Sequence, residues 1–125
     1  MTVRALDHLV FTVADIDATC AFYCDHLGME RERFGEGRTA LRFGSQKISL
    51  HAIDRTFEPK AARPTPGSAD LCFLVEDLDA SHAQVLEAGL AILKGPVDRT
   101  GAAGPIRSIY LRDPDDNLIE LSEPA

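Results

Sequence analysis

The sequence predicts an α+β fold built from two tandem βαβββ units that form a curved mixed sheet. Residues 70–80 align with residues 8–18 at an offset of 62, and residues 119–122 align with residues 48–51 at an offset of 71. Each aligned segment alternates apolar and polar residues as strands do, and a helical stripe follows the first segment of each copy. Internal repetition of this kind constrains the architecture of the whole chain. The identical pairs include Val75, Asp77, Asp79 and Ala80.

Length and composition set the class of protein. The chain has 125 residues, which is enough for one compact domain, and 45% of them are hydrophobic. Its formal net charge of −7 argues against nucleic acid or an anionic membrane as a partner. We find no apolar run of membrane-spanning length and no basic-then-apolar leader, so we expect a soluble cytoplasmic protein. The three cysteines have no zinc-finger spacing and are expected to be reduced thiols.

The first unit is expected over residues 4–53. A strand ends at Val13, Asp15 is a candidate helix cap, and the helix should end at Gly28. Three short strands follow, separated by glycine-containing turns. The helix stripe consists of Ile16, Cys20, Tyr23 and Leu27, and the three strands are expected at 29–34, 39–43 and 47–52.

The second unit is expected over residues 69–123, after a linker at 54–68 that carries three prolines and has no period. Its helix stripe contains Leu78, Val85 and Gly89. The turn from Asp113 to Asn117 leads into the last strand, since Pro114 fixes φ and the Asp and Asn side chains bond back to nearby backbone. The remaining strands are expected at 70–75, 92–94, 108–112 and 118–122.

Strand alternation predicts which side chains converge. In each unit the helix must cover the apolar face, so the polar residues line the opposite face. If the two units pack side by side, these faces become the inside of a cup. Two histidines and two carboxylates in such a cup would suit a divalent metal that favours nitrogen and oxygen ligands. The polar-face residues are His8, Ser49, His51, Asp70 and Glu120.

These features together resemble the vicinal oxygen chelate superfamily, which contains glyoxalase I, extradiol dioxygenases and bleomycin-resistance proteins. The resemblance rests on the paired units and on three motifs, Asp7-His8-Leu9-Val10, Phe22-Tyr23 with Leu27-Gly28-Met29, and Asp113 through Leu121. It covers essentially the whole chain. The segments 47–51, 57–62 and 95–110 further resemble the glyoxalase domain-containing protein 5 subgroup and its bacterial virulence-protein relatives.

The resemblance implies a metal ion, with ligands on the first and last strands of each unit. His8 and Glu120 match two of these positions. Asp70 stands where the enzymes usually have histidine, and Ser49 stands where Glu or Gln is frequent. His51, two residues beyond Ser49, is the alternative ligand. The expected set is therefore His8, His51, Asp70 and Glu120, with Zn, Ni, Mn or Fe as the ion.

Other residues have a functional and a structural interpretation side by side. Glu120 is the expected catalytic carboxylate, and the alternative is an ion pair with a base such as Arg42. Tyr110 is expected either to contact substrate or to form part of the wall, and Cys72 to be a small buried thiol beside Asp70. Ser49 and Arg99 complete the expected substrate-binding group. His26 and His82 lie on the helices and are not expected to be catalytic.

Three functions remain open from the sequence. The first is a metal-dependent lyase or isomerase of glyoxalase type that acts on a small oxygenated metabolite. The second is a non-haem Fe(II) dioxygenase, which would need two histidines and a carboxylate. The third is a non-catalytic binder of a small molecule, of the bleomycin-resistance type, for which the acidic balance would suit a cationic drug. We also expect a homodimer, and residues 95–105 as a flap over the site.

Overall fold

The computed structural model describes residues 1–125, and the backbone contacts divide them into two compact units. Unit 1 spans Met1–Pro66 and unit 2 spans Gly67–Ala125. Each unit contains one helix and one four-stranded mixed sheet, which confirms the predicted α+β class and the βαβββ order. Between residues 53 and 69 the chain forms turns and one isolated bridge, Ala52–Arg55.

Unit 1 has a sheet with the strand order β1-β4-β3-β2, in which β1 is parallel to β4 and the other pairs are antiparallel. The helix begins where the Asp15 side chain accepts a hydrogen bond from the Ala18 N–H at 3.0 Å. It ends at Gly28, which adopts φ of 68° and donates its N–H to the Tyr23 carbonyl. The elements are β1 His8–Val13, α1 Ile16–Leu27, β2 Glu30–Phe34, β3 Arg38–Phe43 and β4 Gln46–Ala52.

The core of unit 1 lies between α1 and one face of its sheet. Tyr23 is fully buried on the helix, and its ring contacts Phe11 and Phe22. Because strand residues alternate, burying Ile48 and Leu50 on this face turns their neighbours to the other face. The polar face of unit 1 therefore carries residues from all four strands. Those used below are His8, Lys47, Ser49, His51, Arg38, Arg42, Glu32 and Phe34.

Unit 2 repeats this arrangement with the strand order β5-β8-β7-β6. Strand β5 is parallel to β8, and the other pairs are antiparallel. Asp77 caps its helix by accepting a hydrogen bond from the Ala80 N–H at 3.0 Å, as Asp15 does in unit 1. The elements are β5 Asp70–Leu74, α2 Leu78–Glu87, β6 Lys94–Gly101, β7 Gly104–Arg112 and β8 Leu118–Pro124.

The expectation for residues 92–105 was wrong in one respect. The predicted strand at 92–94 with a following flap is instead a β-hairpin, in which β6 pairs with β7 up to Gly101 and Gly104. The glycines and prolines of residues 95–105 had suggested a loop. Gly95 is needed because a Cβ there would lie 2.4 Å from the Ser108 carbonyl oxygen, and a register shift between Lys94 and Val97 accommodates the irregularity.

The turn before β8 is held by a buried pair of side chains. The Asn117 amide donates to the Asp113 carboxylate at 2.8 Å, and the Asn117 backbone N–H donates to the same carboxylate at 3.0 Å. The side-chain amide oxygen of Asn117 (Oδ1) in turn accepts from the Ala69 N–H at 2.9 Å. This side chain thus fixes the start of β5 beside the start of β8. Asp116 completes the turn with φ of 64°.

Neither helix has the length and apolar composition that crossing a membrane requires.

We predict that Asn117→Ala lowers the free energy of unfolding by about 2–4 kcal/mol, since it removes the bond to Asp113 and leaves the Ala69 N–H without its acceptor. Urea unfolding followed by circular dichroism measures the change. Asp116→Asn is the matched control, because residue 116 is exposed and Asn adopts positive φ readily. An Asn117→Ala variant as stable as the control would contradict the role given to this amide.

Candidate functional site

Glu120 lies at the middle of the polar face of unit 2. It is on β8, which has neighbours on both sides, and its register partners are Cys72 on β5 and Tyr110 on β7. The side chains of Ile119 and Leu121 are buried on the opposite, helix-covered face. Alternation alone therefore directs the Glu120 carboxylate away from α2.

Two serine hydroxyls fix the orientation of the Glu120 carboxylate. Ser108 donates to Oε2 at 2.6 Å and Ser122 donates to the same oxygen at 3.3 Å. The two hydroxyls also lie 2.6 Å from each other, and both serines are fully buried. A carboxylate held by such a network is preorganised to bind a ligand or to accept a proton.

A cavity of about 520 Å³ opens beside Glu120. Asp70, Tyr110 and Arg99 line it, so unit 2 brings together four of the residues expected from the sequence. The Arg99 Nε donates to the Tyr110 hydroxyl at 2.9 Å. Tyr110 is thus both part of the wall and a polar group at the cavity.

A second cavity of about 490 Å³ also has Glu120 in its lining. Cys72 and Leu74 line it on the β5 side, and the tip of the β6–β7 hairpin lines the remainder. Most of this lining is apolar. It suits the hydrocarbon or aromatic part of a small molecule.

Cys72 is exposed, so the expectation of a buried thiol was wrong. β5 is an edge strand, which leaves one side of it without a neighbouring strand. Partial burial nevertheless raises the pKa of the Cys72 thiol, with the negative charge of Glu120 adding to that effect and a 3.2 Å contact with the Ser122 hydroxyl opposing it. The thiol is therefore protonated at neutral pH and is not poised as a nucleophile.

His8, at the start of β1 in unit 1, is exposed and bonded to its neighbour. Its Nδ1 lies 2.9 Å from an Asp7 carboxylate oxygen. A carboxylate at Nδ1 favours the proton on that nitrogen and leaves Nε2 as the acceptor. This is the arrangement in which histidines bind metal ions in proteins.

His51, near the end of β4, is only 4% exposed and has different neighbours. Its Nε2 lies 3.5 Å from the Arg38 Nη2, and its ring packs on Phe57 with 5.3 Å between centroids. Burial lowers the pKa of the imidazole, and the positive charges of Arg38 and Lys60 lower it further. His51 is therefore neutral at neutral pH and faces a guanidinium.

Unit 1 does not bring its two expected histidine ligands together. His8 pairs in register with Lys47, whereas His51 pairs with Thr12, four residues further along. Four residues of parallel strand correspond to about 13 Å. Ser49 lies between these positions and is 6% exposed. No group of three His, Cys, Asp or Glu side chains that could hold a metal ion occurs in the structure.

Sequence reasoning missed three residues of these surroundings. Ser108 was visible only as a small polar residue two positions before Tyr110 on the same strand face, and nothing marked it as a partner of Glu120. Arg38 lies on the same polar face as Arg42, and nothing in the sequence marked it as a neighbour of His51. Arg42, the base considered as a partner for Glu120, instead lies 3.1 Å from Glu32. Phe57 belongs to the segment read as a linker, so its contact with His51 had no sequence signal.

The comparisons with known proteins agree with this architecture. Residues 5–121 match the family model described as the Glyoxalase/Bleomycin resistance protein/Dioxygenase superfamily. The chain is 53% identical to Virulence protein STM3117 of Salmonella typhimurium, over 98% of this chain and 86% of that protein. The crystal structure of that protein superposes with a TM-score of 0.98 at 52% identity and covers 100% of both chains.

Two further relatives extend the comparison. The Glyoxalase domain-containing protein RDO1 of Mycosarcoma maydis is 58% identical, over 98% of this chain and 69% of that protein. Metallothiol transferase FosB of Shouchella clausii is 31% identical, over 95% of this chain and 80% of that protein.

We predict that His51 makes stability depend on pH below about 6.5, the ordinary histidine pKa. As the pH falls, the unfolded chain protonates this imidazole before the folded chain does, because the folded pKa is lowered. The unfolded state then binds more protons, so stability is lost as the pH falls. His51→Gln should reduce the shift in urea midpoint between about pH 7.5 and about pH 5, two values that bracket that pKa.

His82→Gln, on α2, is the matched control and should keep the full shift. A His51→Gln variant whose midpoint falls with pH as far as that of the wild type would contradict the prediction.

Proposed function

The chain belongs to the Glyoxalase/Bleomycin resistance protein/Dioxygenase superfamily, and on that premise we propose that it is a divalent-metal-dependent lyase or isomerase of glyoxalase type acting on a small oxygenated metabolite. Members of this superfamily commonly use divalent metals, and one relative at 31% identity is named a metallothiol transferase. The observation that carries the proposal is the Glu120 carboxylate, fixed by Ser108 and Ser122 on the polar face of unit 2.

Three residues are the proposed metal ligands. Glu120 and Asp70 would supply carboxylate oxygens from unit 2, and His8 would supply Nε2 from unit 1. Asp7 holds the His8 ring by Nδ1, and the two carboxylates line one cavity together with the cations Lys94 and Arg99. The structure contains no group of three His, Cys, Asp or Glu side chains that could hold a metal ion, so this ligand set is our proposal and the variants below test it.

His51 is left out of the proposed ligand set. A divalent cation at its Nε2 would be repelled by the Arg38 guanidinium 3.5 Å away. Without this second histidine, the pair of histidines that a non-haem Fe(II) dioxygenase needs is incomplete. We therefore favour proton-transfer chemistry over oxygen activation.

The chemistry follows from the position of Glu120. Held by Glu120, Asp70 and His8, a divalent ion would supply Lewis acidity for negative charge on neighbouring substrate oxygens. The Glu120 carboxylate removes a proton from a carbon next to a carbonyl and returns it to the adjacent carbon. Ser108 and Ser122 keep the carboxylate oriented during both transfers. The Tyr110 hydroxyl and Arg99 line the same cavity and would position the substrate.

A second candidate function is non-catalytic binding of a small molecule. The observation that favours it is the largely apolar cavity of about 490 Å³ under the β6–β7 hairpin, which needs no metal to take up a ligand. The net charge of −7 suits a cationic ligand. Under this function Glu120 would be the counter-charge to the ligand rather than a base.

We predict that the purified protein retains a divalent metal and that His8→Gln and Glu120→Gln both lose it. Each variant removes one ligand, so its affinity for the metal should fall by more than the roughly 10–100-fold that loss of an outer-shell partner costs. Metal content is measured by inductively coupled plasma mass spectrometry after dialysis. His82→Gln and Glu87→Gln are the matched controls on α2 and should retain metal as the wild type does.

The same variants distinguish the two functions. We predict that the metal-loaded protein exchanges a substrate C–H for deuterium from solvent, with hemithioacetals of methylglyoxal as the first probes, and that Glu120→Gln abolishes this exchange. Metal content unchanged in both ligand variants would overturn the proposed metal site. Small-molecule binding that survives chelation of the metal, with no exchange at any probe, would establish the binding function instead.

A further inference from the structure

Two cations on the polar face of unit 1 share one aromatic ring. The Lys47 ammonium lies 3.8 Å from the centroid of the Phe34 ring, and the guanidinium carbon of Arg38 lies 5.6 Å from the same centroid. Arg38 also lies over the Phe57 ring at 4.5 Å. Cations are attracted to aromatic faces, so Phe34 and Phe57 hold both side chains in defined positions.

Neither of these cations has a carboxylate partner. The structure contains six ion pairs, and none of them involves Arg38 or Lys47. Their basic neighbours are compensated, since Arg42 pairs with Glu32 and Lys60 pairs with Glu58. In a chain with 20 acidic and 13 basic residues, two uncompensated cations at one aromatic ring are a distinct local excess of positive charge.

The Arg38 guanidinium is also held by a neutral group. Its Nη2 lies 3.5 Å from the Nε2 of His51, and an arginine can only donate, so Nε2 accepts and the ring proton is on Nδ1. His51 is 4% exposed and is braced by Phe57. One guanidinium edge is therefore fixed by protein, while the other donors have no partner within the structure.

We propose that Arg38 and Lys47 form a binding site for an oxyanionic group, a carboxylate or a phosphate, carried by a small-molecule ligand. A guanidinium presents parallel donors that match two oxygens of either group, and a lysine nearby adds a second positive charge. Because Phe34, Phe57 and His51 hold Arg38 in place before the ligand arrives, little side-chain freedom is lost on binding. The two rings give the site apolar flanks.

This site differs in charge from the proposed metal site. Arg38 and Lys47 repel a divalent cation, whereas the carboxylates of Asp70 and Glu120 attract one. The anion site stands on contacts within unit 1 and does not depend on the proposed function. The metal experiment and the anion experiment therefore fail or succeed separately.

The test is calorimetric titration of the full chain with inorganic phosphate in one arm and acetate in the other. Binding of either anion supports the site, and the arm that binds more tightly identifies the anionic group. Arg38→Gln and Lys47→Met should each weaken binding about tenfold or more, as the loss of a charge-assisted hydrogen bond does. Binding should also weaken as NaCl is added.

Two further cations of unit 1 are the matched controls. Arg42→Gln and Lys60→Met remove cations that already have carboxylate partners, so they should leave phosphate and acetate binding unchanged. Arg38→Lys keeps the charge and loses the paired donors, so its affinity should lie between those of the wild type and Arg38→Gln.

Two results would overturn the proposal. The first is that neither phosphate nor acetate binds at millimolar concentration. The second is that Arg42→Gln weakens binding as much as Arg38→Gln does, which would indicate a diffuse charge effect. Lys47→Met leaves the contacts of Arg38 with His51 and Phe57 intact, so it keeps the test valid if thermal unfolding shows that Arg38→Gln does not fold.

Discussion

Each four-stranded sheet packs its helix against one face, and strand alternation then sends every second residue to the opposite, polar face. Burial of Ile119 and Leu121 against α2 requires Glu120 to point away from it, just as burial of Ile48 and Leu50 directs Ser49 and His51. The candidate site residues are therefore placed by the packing of their apolar neighbours. The chemistry of each site residue then depends on the side chains that lie beside it on the polar face, and these differ between the two units.

The alternating strand pattern predicted most of the fold. It did not predict which side chains contact one another across strands and turns. The repeat, the Asp15 cap and the polar faces followed from spacing, because these depend on residues close in sequence. The β6–β7 hairpin was missed because Gly95 and Pro96 suppress the local strand signal and only pairing with β7 stabilises it. The surroundings of His51 were not predictable, since Arg38 and Phe57 reach it from another strand and from a turn region.

The duplicated units have diverged in charge while keeping one architecture. At the end of β4 stands His51 beside Arg38, and the position aligned with it in unit 2 is Ser122, which bonds Ser108 and Glu120. One face thus gathers uncompensated cations, and the other holds a carboxylate in a hydroxyl network. Under the two proposals above, the units of one duplicated scaffold would recognise different chemical groups, since fold and site are separable properties.

The strand order has a consequence for how the protein is made. β8 is the last strand of unit 2 in the chain, yet it lies between β5 and β7, and the Asn117 amide joins its start to Ala69, 48 residues earlier. Contacts between residues so distant in sequence form slowly. While β8 is still being synthesised, β5 and β7 each present an unpaired edge, which is where strands from other molecules add. Nascent chains halted before residue 118 should therefore depend most on chaperones.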